Sequence, residues 1–138
     1  MKAIVFLVLL CVYVIAPAQS INPGVTQDNI GETICKRGWT ATIRPPVSYT
    51  NRIKRELMTD DGIPWVDAHL YELDHWVPIE LGGHPSDPAN LRLQAWDGPD
   101  GAHAKDVVET RMKRKVCAGE VSLKDAQACI WFDWRACP

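Results

Sequence analysis

Four polar residues are spaced so that they could do chemistry together: the neighbours Asp74 and His75, Asn90 fifteen residues on, and His103. An imidazole has a free pKa of roughly 6.5 and can take a proton near neutral pH. A carboxylate is a hard oxygen donor of the kind that Mg²⁺ and Mn²⁺ prefer. An Asp-His pair alone is usually incidental, and a His at a helix start can simply cap or pack. The set gains meaning only if the chain gathers it. That requires Asp74-His75 at a strand end, Asn90 beside a second strand, and His103 on a helix packed across the hairpin.

The flanking sequence predicts those elements. Leu70 to Val77 is β-prone, residues 78–89 form a loop dense in Gly and Pro, and Asn90 to Ala95 alternates as a short strand should. Trp96 to Gly101 is turn-rich. Ala102 to Val116 reads as a helix with Ala104, Val107, Val108, Arg111 and Val116 near one stripe. Upstream, Cys35 to Pro46 holds a strand-like stretch stopped by Pro45-Pro46. Thr50 is placed to cap a short helix through Met58, with Ile53 and Leu57 on one face and Asp60-Asp61-Gly62 as the turn that ends it. Ser122 is the expected N-cap of a last helix, with Asp125 at its third position and Leu123, Ala126 and Ile130 on one face. Trp39, Trp65, Trp76, Trp131 and Trp134 are expected in the core. His69 and His84 read as solvated bystanders, and Gly82-Gly83 as backbone geometry.

A length of 138 residues suits one domain with a modest core. The composition, 46% hydrophobic and 23% charged, is that of an ordinary globular protein, and a net charge of −2 excludes a global basic field for nucleic acid. Met1-Lys2, the apolar run Ala3 to Ile15 and Ala16-Pro17-Ala18 form the pattern of a secretory signal peptide over residues 1–18. Its removal takes Lys2 and leaves 14 Lys+Arg against 17 Asp+Glu, a net of −3. Residues 19–33 read as a flexible leader and 34–138 as the domain. The exported chain keeps Cys35, Cys117, Cys129 and Cys137, an even count that suggests two disulfides. Four cysteines allow three pairings, and spacing does not choose among them. No C-x-x-C pair is present to favour a zinc cluster.

Read together, YELDHWVPIELGG, DPANLRLQ and AHAKDVVE, with Gly38-Trp39-Thr40 and Arg44-Pro45-Pro46 upstream, resemble the exported, single-domain branch of the HNH (ββα-metal, His-Me finger) endonucleases. The resemblance runs from about Cys35 to Trp134. It implies an α+β fold with a small ββα-metal core, flanking helices and disulfide staples. It implies His75 as the general base that takes a proton from water, Asp74 as a metal ligand and His103 as the last metal ligand. Asn90 matches the middle motif residue, which ligates the metal in some relatives and braces the base-bearing loop in others. The pairing Cys35–Cys117 follows from cysteines at matching positions in similar sequences, leaving Cys129–Cys137. One divalent ion is implied, Mg²⁺ or Mn²⁺ first, with Zn²⁺ and Ni²⁺ as the other choices. The chain departs from many HNH sites in carrying Pro99 where a second histidine stands four residues before the helix ligand. Trp96 stands where similar sequences often carry proline.

The expected function is hydrolysis of phosphodiester bonds in DNA, with RNA as a second substrate, at low sequence specificity and outside the cytoplasm, either secreted or periplasmic. Lys105 is placed to hold a phosphate oxygen. Arg111, Lys113, Arg114 and Lys115, together with Lys36, Arg37 and Arg44, could track a backbone, against the base rate of a solvated helix end. Asp106 could orient a histidine. An inhibitor or immunity protein is a conceivable partner, stable membrane insertion is not expected after signal cleavage, and the oligomeric state is left open. The alternatives are an inactive scaffold of this kind that binds nucleic acid or an envelope partner, and a structural envelope protein in which the motif is coincidental.

Overall fold

A computed structural model of the chain describes residues 20–138. The expected signal peptide lies outside these residues. The elements are α1 (Trp39–Ile43), α2 (Val47–Asp60), β1 (Tyr71–His75), β2 (Leu91–Ala95), α3 (Ala102–Cys117) and α4 (Leu123–Asp133), joined by several 3₁₀ turns. The fold is α+β, with one two-stranded antiparallel sheet. Among the described residues no helix is long and apolar enough to cross a membrane.

The sheet exists to fix one register. Asp74 stands opposite Arg92 and His75 opposite Leu91, so β1 ends where β2 begins. Lys54 ties α2 to the entrance of β1, its Nζ donating to the carbonyls of Ala68 and Tyr71 at 2.7 Å. Beyond β2, α3 and α4 pack together around Met112, Val116, Leu123, Ala126 and Ile130, with Val77 and Leu81 of the inter-strand loop in the same core. Ser122 caps α4 by accepting from the Asp125 backbone N–H at 3.0 Å.

Three local expectations are corrected. The stretch 35–46 contains no strand: Gly38 turns with φ +83° into α1, and Cys35 is tied to Cys117 at the end of α3. Helix α2 starts at Val47, directly after Pro46, and Thr50 donates its hydroxyl back to the Val47 carbonyl at 3.1 Å inside it. Its buried residues are Ile53 and Met58, with Leu57 only partly covered. Residues 20–33 are not a loose leader. Asn22 N–H donates to the Gly82 carbonyl and His84 N–H to the Ser20 carbonyl, both at 2.9 Å, and Val25 is buried. Gln27 Oε1 accepts from Leu123 N–H at 2.7 Å, a second cap on α4. The polar composition of this arm serves backbone groups elsewhere that would otherwise be unsatisfied.

Disulfides link Cys35 to Cys117 and Cys129 to Cys137, at sequence separations of 82 and 8. Chain entropy makes the long loop worth roughly 4.5 kcal/mol and the short one about 2.5 kcal/mol. Urea melts of the two paired Cys→Ser variants should therefore rank Cys35/Cys117 as the larger loss. The reverse ranking would refute the loop-length account.

Candidate active-site cleft

At the heart of the site is a buried ion chain. Helix α3 sets Lys105 and Glu109 one turn apart on the face towards the sheet. Lys105 is 1% exposed, and its Nζ donates to Asp74 Oδ2 at 2.7 Å, to the His75 carbonyl at 2.7 Å and to the Glu109 carboxylate. Arg92 Nε stands 3.9 Å from Asp74 Oδ2 on the far side. A lysine this deep is tolerated because all three donors are used and its charge is flanked by two carboxylates. Burial pushes Glu109 up to about 7, against the pull of Lys105.

His75 closes β1. Its Nε2 faces the Pro85 carbonyl oxygen at 3.1 Å. A carbonyl can only accept, so Nε2 carries the proton and the lone pair is left on Nδ1. Burial holds the imidazole below its ordinary pKa, opposed by the Pro85 hydrogen bond and by Asp74. The ring is thus kept neutral, in one tautomer.

Asn90 is fully buried and clamps the loop between the strands. Its Oδ1 accepts from Val77 N–H at 2.9 Å, and its Nδ2 donates to the Val77 and His84 carbonyls, each at 2.9 Å. Every polar atom of the side chain faces loop backbone, so the bracing role is the one the structure displays. Gly83 completes the clamp, since a Cβ there would lie 1.7 Å from the Val77 carbonyl oxygen. His84 is no bystander: its Nδ1 accepts from Asp87 N–H at 2.9 Å.

A cleft of about 320 Å³ opens beside His75, lined also by Asp74, Glu72, Glu80, Asp106 and Arg44. A hollow of about 300 Å³ continues it past His75 along α2 to Asn51 and Lys54. Acid dominates. Glu72 is pushed up to about 7 by burial, then by the charges of Asp74 and Asp106, and its buried Oε2 has no hydrogen-bond partner. Asp106 and Glu80 are raised as well, by burial first. Arg44 borders both hollows, and its guanidinium has no hydrogen bond or ion pair among the described residues.

Other expected contacts lie elsewhere. His103 is turned away from the cleft: its side chain is 63% exposed, its Nδ1 is 3.1 Å from Asp97 Oδ1, and its ring stacks on Trp96. Lys105 is the buried tie just described, not a hand for substrate phosphate. Arg111 is committed to the chain end, donating to the Cys137 and Pro138 carbonyls. Arg114 is exposed further along α3 and does not border the cleft. Among the described residues no three His, Cys, Asp or Glu side chains stand close enough together to cage a metal ion. Asp74, Glu72 and Asp106 repel one another without forming such a cage, and Asp74 Oδ2 is already held by Lys105, so the cleft offers a cation carboxylate oxygen one side chain at a time. This donor chemistry suits Mg²⁺ or Mn²⁺ rather than Zn²⁺.

Glu72→Gln tests that repulsion through stability. The folded protein keeps a proton on Glu72 that the unfolded chain releases, so stability drains away as pH rises from about 4.5 to about 7. The amide cannot ionise, so the variant should melt higher than the parent at pH 8 and level with it near pH 4.5. An equal fall at both pH values would show that the carboxylate serves packing instead.

Compared with known proteins, the chain matches no family model, no curated protein and no solved structure.

Proposed function

We propose that this chain is a metal-dependent phosphodiester hydrolase of the HNH, ββα-metal kind, acting on DNA and also on RNA, exported to an oxidising compartment. The observation that carries the reading is the His75 tautomer. Its Nε2–H is fixed by the Pro85 carbonyl, so Nδ1 is a neutral base beside an acid-lined cleft that also holds the unpaired Arg44. The order β1, clamped loop, β2, α3 supports the ββα reading, and the two disulfides support export.

In the reaction, Nδ1 of His75 takes a proton from water, whose oxygen attacks phosphorus while the bond to the 3′ oxygen breaks and that oxygen is protonated by solvent. Arg44 holds a non-bridging phosphate oxygen against the repulsion of the surrounding carboxylates. Asn90 keeps the Pro85 carbonyl in place by fixing both ends of the loop. Lys105 holds Asp74 against α3. Asp74 would supply carboxylate oxygen to the divalent ion, which when bound would stabilise charge on the phosphate and the leaving oxygen. His103 and Asn90 are not assigned as ligands in this reading.

The test is plasmid cleavage by the oxidised chain in Mg²⁺ or Mn²⁺, repeated with EDTA. Cutting that EDTA abolishes is expected. Folded protein that leaves both DNA and RNA intact in several metals would overturn the enzyme and favour a binding module.

A further inference from the structure

The loop between the strands carries a second imidazole close to the first. His84 is half-buried, and its backbone is held on both sides: its N–H donates to the Ser20 carbonyl and its own carbonyl accepts from Asn90 Nδ2, each at 2.9 Å. The ring is held as well. Its Nδ1 lies 2.9 Å from the backbone nitrogen of Asp87 and 3.3 Å from that of Ser86. A backbone N–H can only donate, so Nδ1 is the acceptor of both bonds and carries no proton. The side chain thereby closes the turn 84–87 on its own backbone, much as an asparagine does. On the far side of the turn, Tyr49 of α2 donates its hydroxyl to the Ser86 carbonyl at 2.5 Å.

The Ser86 N–H and the Pro85 carbonyl belong to one peptide unit. None of the described peptide bonds is cis, so the two groups point to opposite sides of a rigid plane. His84 Nδ1 takes the N–H on one side, and on the other the carbonyl accepts from His75 Nε2 at 3.1 Å. A single amide therefore joins the two imidazoles. The proline ring locks φ of Pro85, so this plane can swing only about ψ of Pro85 and φ of Ser86. Asn90 grips the loop at Val77 and His84 and touches neither group of the amide. We propose that His84 is a positioning residue for His75: by holding the Ser86 N–H it aims the Pro85 carbonyl, and so selects the His75 tautomer with its lone pair on Nδ1. The proposal rests on the reading of His75 as the base. Its effect is electronic as well as geometric. An amide whose N–H is engaged has a stronger acceptor in its carbonyl, and a firmer bond to Nε2–H makes Nδ1 a better base.

The experiment reads imidazole tautomers by long-range proton–nitrogen NMR on the full oxidised chain, ¹⁵N-labelled, in EDTA at pH 8, beside plasmid cleavage in Mg²⁺. In wild type, His75 and His84 should each carry the proton on Nε2. His84→Ala keeps both backbone bonds of residue 84, so it should fold. Its His75 should divide between the two tautomers, and kcat should fall roughly tenfold with KM within about twofold. His84→Asn puts an acceptor oxygen where Nδ1 stands, so it should restore the single tautomer and most of the turnover. A wild-type His84 with its proton on Nδ1 would overturn the proposal before any variant is made. So would a His75 that keeps one tautomer in folded His84→Ala, or a His84→Asn no better than alanine. The spectra need no substrate, which separates the two readings. If plasmid is untouched while the His75 tautomer follows the variants as expected, the nuclease reading falls and the coupling of the rings stands. If plasmid is cut and the His75 tautomer ignores residue 84, only this proposal falls.

Discussion

His75→Ala is expected to lower the turnover of DNA by about three orders of magnitude, within the range of roughly 10² to 10⁴ that a positioned base contributes. Position and protonation state both argue for a loss of this size. The ring is anchored through Nε2 by the Pro85 carbonyl, which fixes the tautomer with its lone pair on Nδ1. Burial keeps the ring below its ordinary pKa, so it is uncharged at neutral pH without help from substrate. The side chain is only half-buried and gives one hydrogen bond to a surface loop, so the variant should keep its fold and melt within a few degrees of the parent. His75→Gln can reach the same carbonyl but has no basic lone pair, so it should be as inactive as alanine. Added imidazole should restore a measurable part of the alanine variant's activity. Steady-state cleavage rates with matched melting curves decide the matter. A folded His75→Ala protein retaining more than about a tenth of wild-type turnover would remove His75 from the role of base.

The largest effect on stability should come from Lys105→Met. Methionine matches the length of the aliphatic stem, so no large cavity opens. What is lost is the cation between Asp74 and Glu109, both of them buried. Removing one partner from a buried ionic set costs about 3 to 5 kcal/mol, a large share of the total stability of a domain this size. The loss depends on pH. Glu109 already titrates at about 7 with Lys105 beside it, and that cation is what lowers it. Without the lysine, Glu109 takes up its proton at higher pH still, and the neutral acid buries cheaply. Urea denaturation should therefore show the variant strongly destabilised at pH 8 and much less so at pH 5. Glu109→Gln on the Lys105→Met background should recover part of the loss at pH 8 and little at pH 5. A cost below about 1 kcal/mol at pH 8 would mean that the chain of ions is not what holds α3 to the sheet.

The sequence pattern made some of this legible. The two strands and their order follow from β-propensity and alternation over Leu70 to Val77 and Asn90 to Ala95 and from the turn residues between them, and the structure trims them to Tyr71–His75 and Leu91–Ala95. Asn90 was recognisable as a motif residue, but whether it ligates or braces depends on where the Val77 and His84 carbonyls lie, which no local pattern encodes. The buried face of α3 was misread for a definite reason. Apolar periodicity points to Ala104, Val107 and Val108, whereas the face that enters the protein runs through Ala102, Lys105, Val108, Glu109 and Met112. Lysine and glutamate count as solvent residues in any periodicity argument, and here they are inside because they neutralise each other and Asp74. The four-residue spacing of Lys105 and Glu109 was the available signal. The expectation of His103 in the cleft comes instead from the family resemblance, and that of Lys105 on substrate from its closeness to His103, and neither draws on this periodicity. The arm 20–33 escaped notice because its contribution is backbone pairing, and pairing partners sixty or more residues away leave no trace in local composition.

That arm has a consequence for the order of assembly. The loop between the strands is held from both ends of the chain. Ser20 and Asn22 bond to His84 and Gly82, while Gln127 of α4 donates to the Leu81 carbonyl at 2.9 Å. The last of these contacts exists only when nearly the whole polypeptide has been made. A chain threaded through a membrane from its amino end would cross with that loop unfinished, its earliest and latest segments meeting only on the far side. Whatever the loop does, it can do only once the early and the late segment have both closed on it.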